Sequence, residues 1–230
     1  MKIAGLQKTS LIDYPGKVSA IIFTQGCPFR CGYCYNPGLL PLNSDDLFNT
    51  EEVLKFLERR SDVLDALVIT GGEPTLQKDL PQFIKKVKDL NYLVKLDSNG
   101  TNPEMLKYLI KEKLIDYFAM DIKAPVKKYR QVVNVDIDPK IIKKSIRVIK
   151  NSDVDYEFRS TVLPALHSET DIIDMAKSIK GAKKYYLQKF LPSGGKLQDP
   201  SLAGERPFDD EKIKELAGKC KKFVENCQVR

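Results

Sequence analysis

Cys27-Pro28-Phe29-Arg30-Cys31-Gly32-Tyr33-Cys34 puts three cysteines in one short stretch, at the spacing C-x3-C-x2-C. Three thiolates this close can hold one metal centre, and they leave a four-coordinate centre one ligand short. Iron–sulfur clusters are held by cysteine thiolates at tight spacings of this kind, and an iron without a protein ligand is a place where a substrate or cofactor can bind. A structural zinc site asks for four ligands, commonly as two separated pairs, with His167, Cys220 or Cys227 available as the fourth. A disulfide framework is disfavoured, because five cysteines in 230 residues are sparse and odd in number. Pro28, Arg30 and Gly32 mark the stretch as a loop, and an apolar run ends just before it.

That order, apolar run and then loop, repeats along the chain. Strands are expected at 20–24, 66–70, 93–96, 117–120, 156–162 and 184–190, each apolar or β-branched, as in strands buried on both faces. Amphipathic segments alternate with them, which reads as β–α units around a parallel sheet. Helix starts are marked by Asn49-Thr50 before Glu51 and Glu52, by Asn102-Pro103, by Asp138-Pro139 and by Ser168-Glu169-Thr170-Asp171. A last helix over 210–226 places Ile213, Leu216, Ala217, Cys220, Phe223, Val224 and Cys227 on one face, so Cys220 and Cys227 read as core thiols. Residues 1–17 stand apart. Asp13-Tyr14-Pro15-Gly16 is a turn signal, and the segment suits a short hairpin before the first core strand. The expected organisation is one domain, with an N-terminal extension over 1–17, a barrel core over 18–195 and a C-terminal helical segment over 196–230.

Composition is that of a globular protein, with 42% hydrophobic and 30% charged residues. No run of about 18 apolar residues occurs, so no membrane span is expected, and Met1-Lys2-Ile3-Ala4-Gly5 has no long apolar core of a signal peptide. A reducing cytoplasmic setting fits free thiolates. The net charge of +7 would suit nucleic acid, an acidic partner or a small anion. Its lysines are spread over several amphipathic segments, such as Lys85-Lys86-Val87-Lys88 and Lys143-Lys144, which read as solvated helix faces. A nucleic-acid role is therefore disfavoured.

In parallel β/α barrels the reactive residues come from loops at the carboxyl ends of the strands. Here each unusual stretch follows a strand: Gln25-Gly26-Cys27, Gly71-Gly72-Glu73-Pro74, Asp97-Ser98-Asn99-Gly100, Asp121-Ile122-Lys123, Leu163-Pro164 and Leu191-Pro192-Ser193-Gly194-Gly195, with Arg159 inside the fifth strand. Each alone has a plainer reading. Gly71-Gly72 can be only a tight turn, and Glu73 a surface acid. Asp97 and Asp121 can cap helices, and Lys123 and Arg159 can simply pair with them. Together on one rim they suit a zwitterion carrying a nucleoside.

The spacing Cys27-x3-Cys31-x2-Cys34 with Tyr33 before the last cysteine, and Gly71-Gly72-Glu73-Pro74 after the second strand, resemble the signatures of the radical S-adenosylmethionine superfamily. The resemblance runs from Gly5 to about Gly195. It implies a partial (β/α)6 barrel, open on one side, with a [4Fe–4S] cluster on Cys27, Cys31 and Cys34 and S-adenosylmethionine on its fourth iron. It implies reductive cleavage to a 5′-deoxyadenosyl radical. Gly71, Gly72 and Glu73 would meet the methionine moiety and Tyr33 would lie near the adenine.

Within the superfamily, Phe23-Thr24-Gln25-Gly26-Cys27, Tyr35-Asn36-Pro37, Asp13-Tyr14-Pro15-Gly16, Asp97-Ser98-Asn99-Gly100 and Asp121-Ile122-Lys123 resemble glycyl radical enzyme activating proteins, most of all the short activators of anaerobic ribonucleoside-triphosphate reductase. That similarity implies a cofactor pocket including Asn36, Asp97, Ser98, Asn99, Asp121, Lys123 and Arg159, with a small cation near Asp97 and Asp121. It implies a glycyl radical enzyme as partner, anaerobic ribonucleotide reductase, and a one-electron donor such as flavodoxin or ferredoxin. Two positions depart from the pattern: Tyr35 stands where many activators have histidine, and Tyr14 replaces a glycine in a segment expected near the partner surface. Other readings are a small-molecule enzyme of the 7-carboxy-7-deazaguanine synthase type and, more remotely, a basic zinc module on nucleic acid.

Overall fold

In this computed structural model, residues 1–43, 47–191 and 197–230 are described. Strands β1 (Ile3–Ser10), β2 (Ser19–Thr24), β3 (Ala66–Gly71), β4 (Leu93–Ser98), β5 (Tyr117–Asp121), β6 (Asp155–Val162), β7 (Lys184–Lys189) and β8 (Asn226–Val229) form one sheet in chain order. β1 runs antiparallel to β2, and every later neighbour pair is parallel. β1 and β8 are the two edges, so the sheet is not closed.

The crossovers carry helices, as parallel neighbours require: α1 (Thr50–Glu58), α2 (Leu80–Asp89), α3 (Pro103–Lys111), α4 (Tyr129–Val133), α5 (Lys140–Lys150), α6 (Glu169–Ser178) and α7 (Asp210–Cys220). Their starts are chemical. Asn49 Oδ1 accepts from Glu51 N at 2.8 Å, Asn102 Oδ1 from Met105 N at 3.1 Å, and Asp138 Oδ1 from Lys140 N at 3.0 Å. Ser168 and Asp171 form a reciprocal capping box at α6. Among the described residues no helix is long and apolar enough to cross a membrane.

All six expected strands are present, and the structure adds two elements to them. The N-terminal segment is a full strand that pairs with the first core strand. The last helix stops at Cys220, and Asn226–Val229 returns as a parallel strand beside β7. The helical spacing therefore ends before Cys227, which enters the core from β8.

The strands are not apolar on both faces. Successive side chains alternate, and Ala20, Ile22, Leu67, Ile69, Val94, Leu96, Phe118, Met120 and Phe158 turn outward into one core with Leu57, Ile84, Leu106, Ile146, Ile172 and Leu216 of the helices. The residues between them turn inward. Toward the amino ends they are Ile21, Ala66, Val68 and Tyr117, packed with Tyr14. Farther along they are Lys95, Asp97, Asp121, Glu157 and Arg159, a charged interior held by mutual pairing. Glu157 is fully buried and accepts from Arg230 Nη1 at 2.8 Å, Arg230 Nη2 at 3.1 Å and Tyr117 Oη at 3.0 Å.

Tyr14 differs from its neighbours in the same segment, where Leu11 and Ile12 are exposed. The β1–β2 turn lies at the amino ends of the parallel strands, where Ser10 pairs with Ser19. Tyr14 turns inward there and packs on Tyr117 with ring centroids 5.9 Å apart. It plugs the interior at this end of the sheet and is buried.

Candidate active site

At the carboxyl ends of the strands lies a cavity of about 320 Å³. Every residue expected at the site lines it: Cys27, Cys31, Tyr33, Cys34, Asn36, Gly71, Gly72, Glu73, Asp97, Ser98, Asn99, Asp121, Lys123 and Arg159. Thr161 and Gln188 of β6 and β7 join them. The 192–196 part of the sixth loop lies outside the described residues.

The cysteine loop is pinned through its backbone. Gln25, buried, donates from Nε2 to the carbonyls of Gly38 (3.0 Å) and Pro41 (2.8 Å), closing the loop base. Arg30 donates from Nη1 to the carbonyls of Cys27 and Phe29, each at 2.7 Å, and its own amide reaches Val133 O at 2.9 Å. The Asp199 amide donates to Gly32 O at 2.8 Å. Burial pushes the Cys27 thiol up to about 12 and the Cys31 thiol to about 11. Burial thus penalises the thiolate at both, a cost that a bound metal would offset.

Gly71 and Gly72 are demanded by backbone contact. A Cβ on Gly71, whose φ is +123°, would lie 2.2 Å from Thr24 N, and one on Gly72 would lie 2.1 Å from Gly26 O. The β3 loop thus rests directly on the start of the cysteine loop, through Gly72 N to Thr24 O (2.9 Å) and Glu73 N to Gly26 O (2.7 Å). Glu73 is not a surface acid. It is fully buried, and both carboxylate oxygens are taken by protein donors: Thr75 Oγ1 (2.6 Å) and Ser98 Oγ (2.9 Å) on one, Asn99 N (2.6 Å) on the other. Burial raises its carboxyl despite these bonds. It braces the β3 and β4 loops against each other.

Asp97 and Asp121 face three cations. Asp97 pairs with Lys95 (2.7 Å) and Arg159 (3.1 Å), and Asp121 with Arg159 (2.9 Å) and Lys123 (2.8 Å). Burial alone would raise the Asp121 carboxyl, but Arg159 and Lys123 outweigh it and hold it well below the usual carboxylate range. Asp97 is lowered likewise, with Arg159 and Lys95 overcoming its burial. All four carboxylate oxygens meet a protein cation, Lys95, Lys123 or Arg159, at the place where a small cation was expected. Lys95 was not anticipated. Its signal was a lysine two residues before Asp97 in a strand, on the same face.

The zinc reading loses its fourth ligands. Leu163 N donates to His167 Nδ1 at 3.3 Å, which leaves Nε2 to donate to Lys123 O at 2.9 Å, so both ring nitrogens are engaged. Cys220 and Cys227 lie buried in the main core, and neither lines the cavity. Among the described residues no three His, Cys, Asp or Glu side chains lie close enough to share a single ion, which thiolates at separate corners of a cluster need not do.

Tyr33 is buried, edge-on to His167 with centroids 6.4 Å apart, and its Oη has no protein partner among the described residues. Such a group invites a ligand or water. Tyr35 stacks on Phe190 and fastens the rim through Oη, which accepts from Leu191 N at 2.9 Å. Three thiols on a pinned loop, an orphaned phenol and paired charges fit an iron–sulfur cluster with an amino-acid-bearing nucleoside.

Comparison with known proteins agrees. The sequence profile of the radical SAM superfamily matches residues 21–179. Over 238 residues the chain is 36% identical to a Methanocaldococcus jannaschii protein named as a glycyl-radical enzyme activating enzyme, covering 99% of this chain and 95% of that one. Over 247 residues it is 25% identical to the pyruvate formate-lyase-activating enzyme of Clostridium pasteurianum, covering 97% and 98%. The structure of Streptococcus suis SuiB bound to S-adenosylmethionine superposes with a TM-score of 0.66 at 15% identity, over 90% of this chain and 48% of SuiB, so this chain spans about half its length. Escherichia coli QueE gives 0.52 at 16%, over 81% and 83%. At these identities the structural likeness speaks for the fold.

Proposed function

The chain belongs to the radical SAM superfamily, and on that premise we propose that it activates a glycyl radical enzyme by taking a hydrogen atom from a backbone glycine of that partner. The observation that carries this reading is the likeness to glycyl-radical enzyme activators over nearly the whole length of both chains. The partner we propose is anaerobic ribonucleotide reductase, on the likeness of the short chain and its single cysteine loop to activators of that enzyme. A low-potential one-electron donor of the flavodoxin or ferredoxin kind serves it.

Cys27, Cys31 and Cys34 are the residues to hold a [4Fe–4S] cluster. When bound, the cluster and S-adenosylmethionine supply one-electron cleavage of the sulfonium and a 5′-deoxyadenosyl radical as hydrogen acceptor. The chain's own residues do the rest. Gly71 and Gly72 bring the β3 loop close against the cysteine loop. Asp97 and Asp121 offer acceptors to ribose hydroxyls or an ammonium, and Lys123 and Arg159 offer charge to a carboxylate. Because these four neutralise one another, the wall stays fixed when a ligand arrives and little reorganisation is needed. Tyr33 presents an aromatic face and an unpaired hydroxyl.

The test is anaerobic reconstitution with iron and sulfide, reduction, and addition of S-adenosylmethionine with anaerobic ribonucleotide reductase. The expected result is 5′-deoxyadenosine by mass spectrometry and a glycyl radical doublet in the partner by paramagnetic resonance. Both should vanish in Cys27→Ala, Cys31→Ala and Cys34→Ala. Repeated turnover on a metabolite, with no doublet in any protein partner, would transfer the reading to the small-molecule class.

A further inference from the structure

We propose that Asn99 is a positioning residue for the cluster loop, and that its N–H···S hydrogen bond to Cys27 makes the cluster easier to reduce. The inference rests on the cluster reading above and goes beyond it to how the electron is accepted.

The Asn99 Nδ2 lies 3.7 Å from the Cys27 Sγ, within reach of a hydrogen bond to sulfur. The orientation of the amide follows from its other end. Oδ1 faces the Thr101 amide at 3.0 Å and the Thr101 Oγ1 at 2.7 Å. A backbone N–H can only donate, so the atom facing it must be the oxygen, and the NH2 is left to point at the sulfur. The main chain is fixed as well. Asn99 N donates to the buried Glu73 carboxylate at 2.6 Å, and Gly100 O accepts from Ser145 Oγ at 2.6 Å. Asn99 is itself buried. The donor is therefore held in place before any cluster forms.

A fixed N–H dipole at a ligand sulfur stabilises the more negative state of a cluster, and such bonds are among the factors that set its potential. Reduction adds one electron from the external donor. No bond breaks and no proton leaves Asn99, so the whole effect is electrostatic. It acts between a buried amide and a sulfur that lines the cavity, where screening is weak.

The experiment is a redox titration of the reconstituted full chain followed by paramagnetic resonance, without S-adenosylmethionine or partner. In Asn99→Ala, the ratio of reduced to oxidised cluster at the wild-type midpoint should fall about tenfold, a negative shift of about 59 mV for one electron. Asn99→Asp, which keeps the acceptor toward Thr101 but swaps the donor for a charge, should shift further the same way. Thr101→Val leaves Asn99 in place but loosens the amide, and should shift less. An Asn99→Ala midpoint equal to wild type, at equal iron and sulfide content, would overturn the proposal. If neither Asn99 variant holds a cluster, Thr101→Val decides: an unchanged midpoint there overturns it too. Wild-type protein without iron and sulfide would defeat the cluster reading itself, a failure seen by analysis before any titration begins.

Discussion

Phe158 and Arg159 are consecutive in β6, yet they live in different chemistries. Phe158 points outward and is fully buried among the apolar side chains of the helices. Arg159 points inward and reaches Asp121 of the adjacent β5 and Asp97 of β4 beyond it. The outer face needs volume and apolar surface, which many side chains can supply. The inner face needs particular charges at particular distances. One strand serves both because its period of two keeps the tasks apart. The rigidity obtained on one side holds the constellation on the other.

Truncation on the outer face should have the largest effect on folding. Phe158→Ala should lower unfolding free energy by about 3–5 kcal/mol, read by chemical denaturation, while the folded fraction binds S-adenosylmethionine with wild-type affinity. Arg159→Met, one residue on, should cost about 1–3 kcal/mol by leaving one oxygen of each carboxylate unpaired, Asp97 held by Lys95 alone and Asp121 by Lys123 alone, and weaken that binding at least tenfold, about 1.4 kcal/mol. If Phe158→Ala damaged affinity more than Arg159→Met, the separation of faces would fail. A sharper version is Asp97→Asn/Asp121→Asn/Arg159→Met. That background also removes the carboxylate partners of Lys95 and Lys123, so it should be less stable than Arg159→Met alone while binding stays lost.

Acid gives a graded effect. Asp97 and Asp121 are both lowered in the folded protein, so the unfolded chain binds their protons first as pH drops. Their contribution is present above the unfolded aspartate value of about 3.9 and is lost as pH falls below it through the folded values. Glu73 is raised, so its term has the opposite sign and favours the folded state as it protonates. Asp121→Asn should flatten the acid limb of a stability–pH profile, and an unaltered limb would remove the inner network from the account. The smallest effect belongs to neither face: Asn102→Ala, a lost cap on α3, should cost about 1 kcal/mol with no change in binding.

Much of this was legible before the structure. Six strands, four helix starts and most of the expected cavity-lining residues follow from local signals: apolar runs, capping residues, and odd chemistry placed just after strands; Tyr33 and Asn36 followed from the family resemblance. What escaped depends on distance or on too few residues. Asn226–Val229 is four residues long, too short for a periodic signal, and the apolar spacing before it carried the helix on past Cys220. Burial of Tyr14 depends on Tyr117, far away in the chain. The charged interior had a signal that an apolar reading passes over: Lys95 with Asp97, and Glu157 with Arg159, each two apart inside apolar strands. Arg30 gave none, because a guanidinium between cysteines reads the same whether it locks the loop or meets solvent.

His167 is the sole histidine of the chain, and it is buried edge-on to Tyr33, which lines the cavity, with its tautomer set by Leu163 and Lys123. The molecule therefore carries one imidazole ring, whose proton resonances cannot be confused with those of another histidine. When a ligand reaches the Tyr33 hydroxyl, ring-current changes at that single ring should report it. Occupancy of the pocket becomes visible in the intact protein, one line at a time.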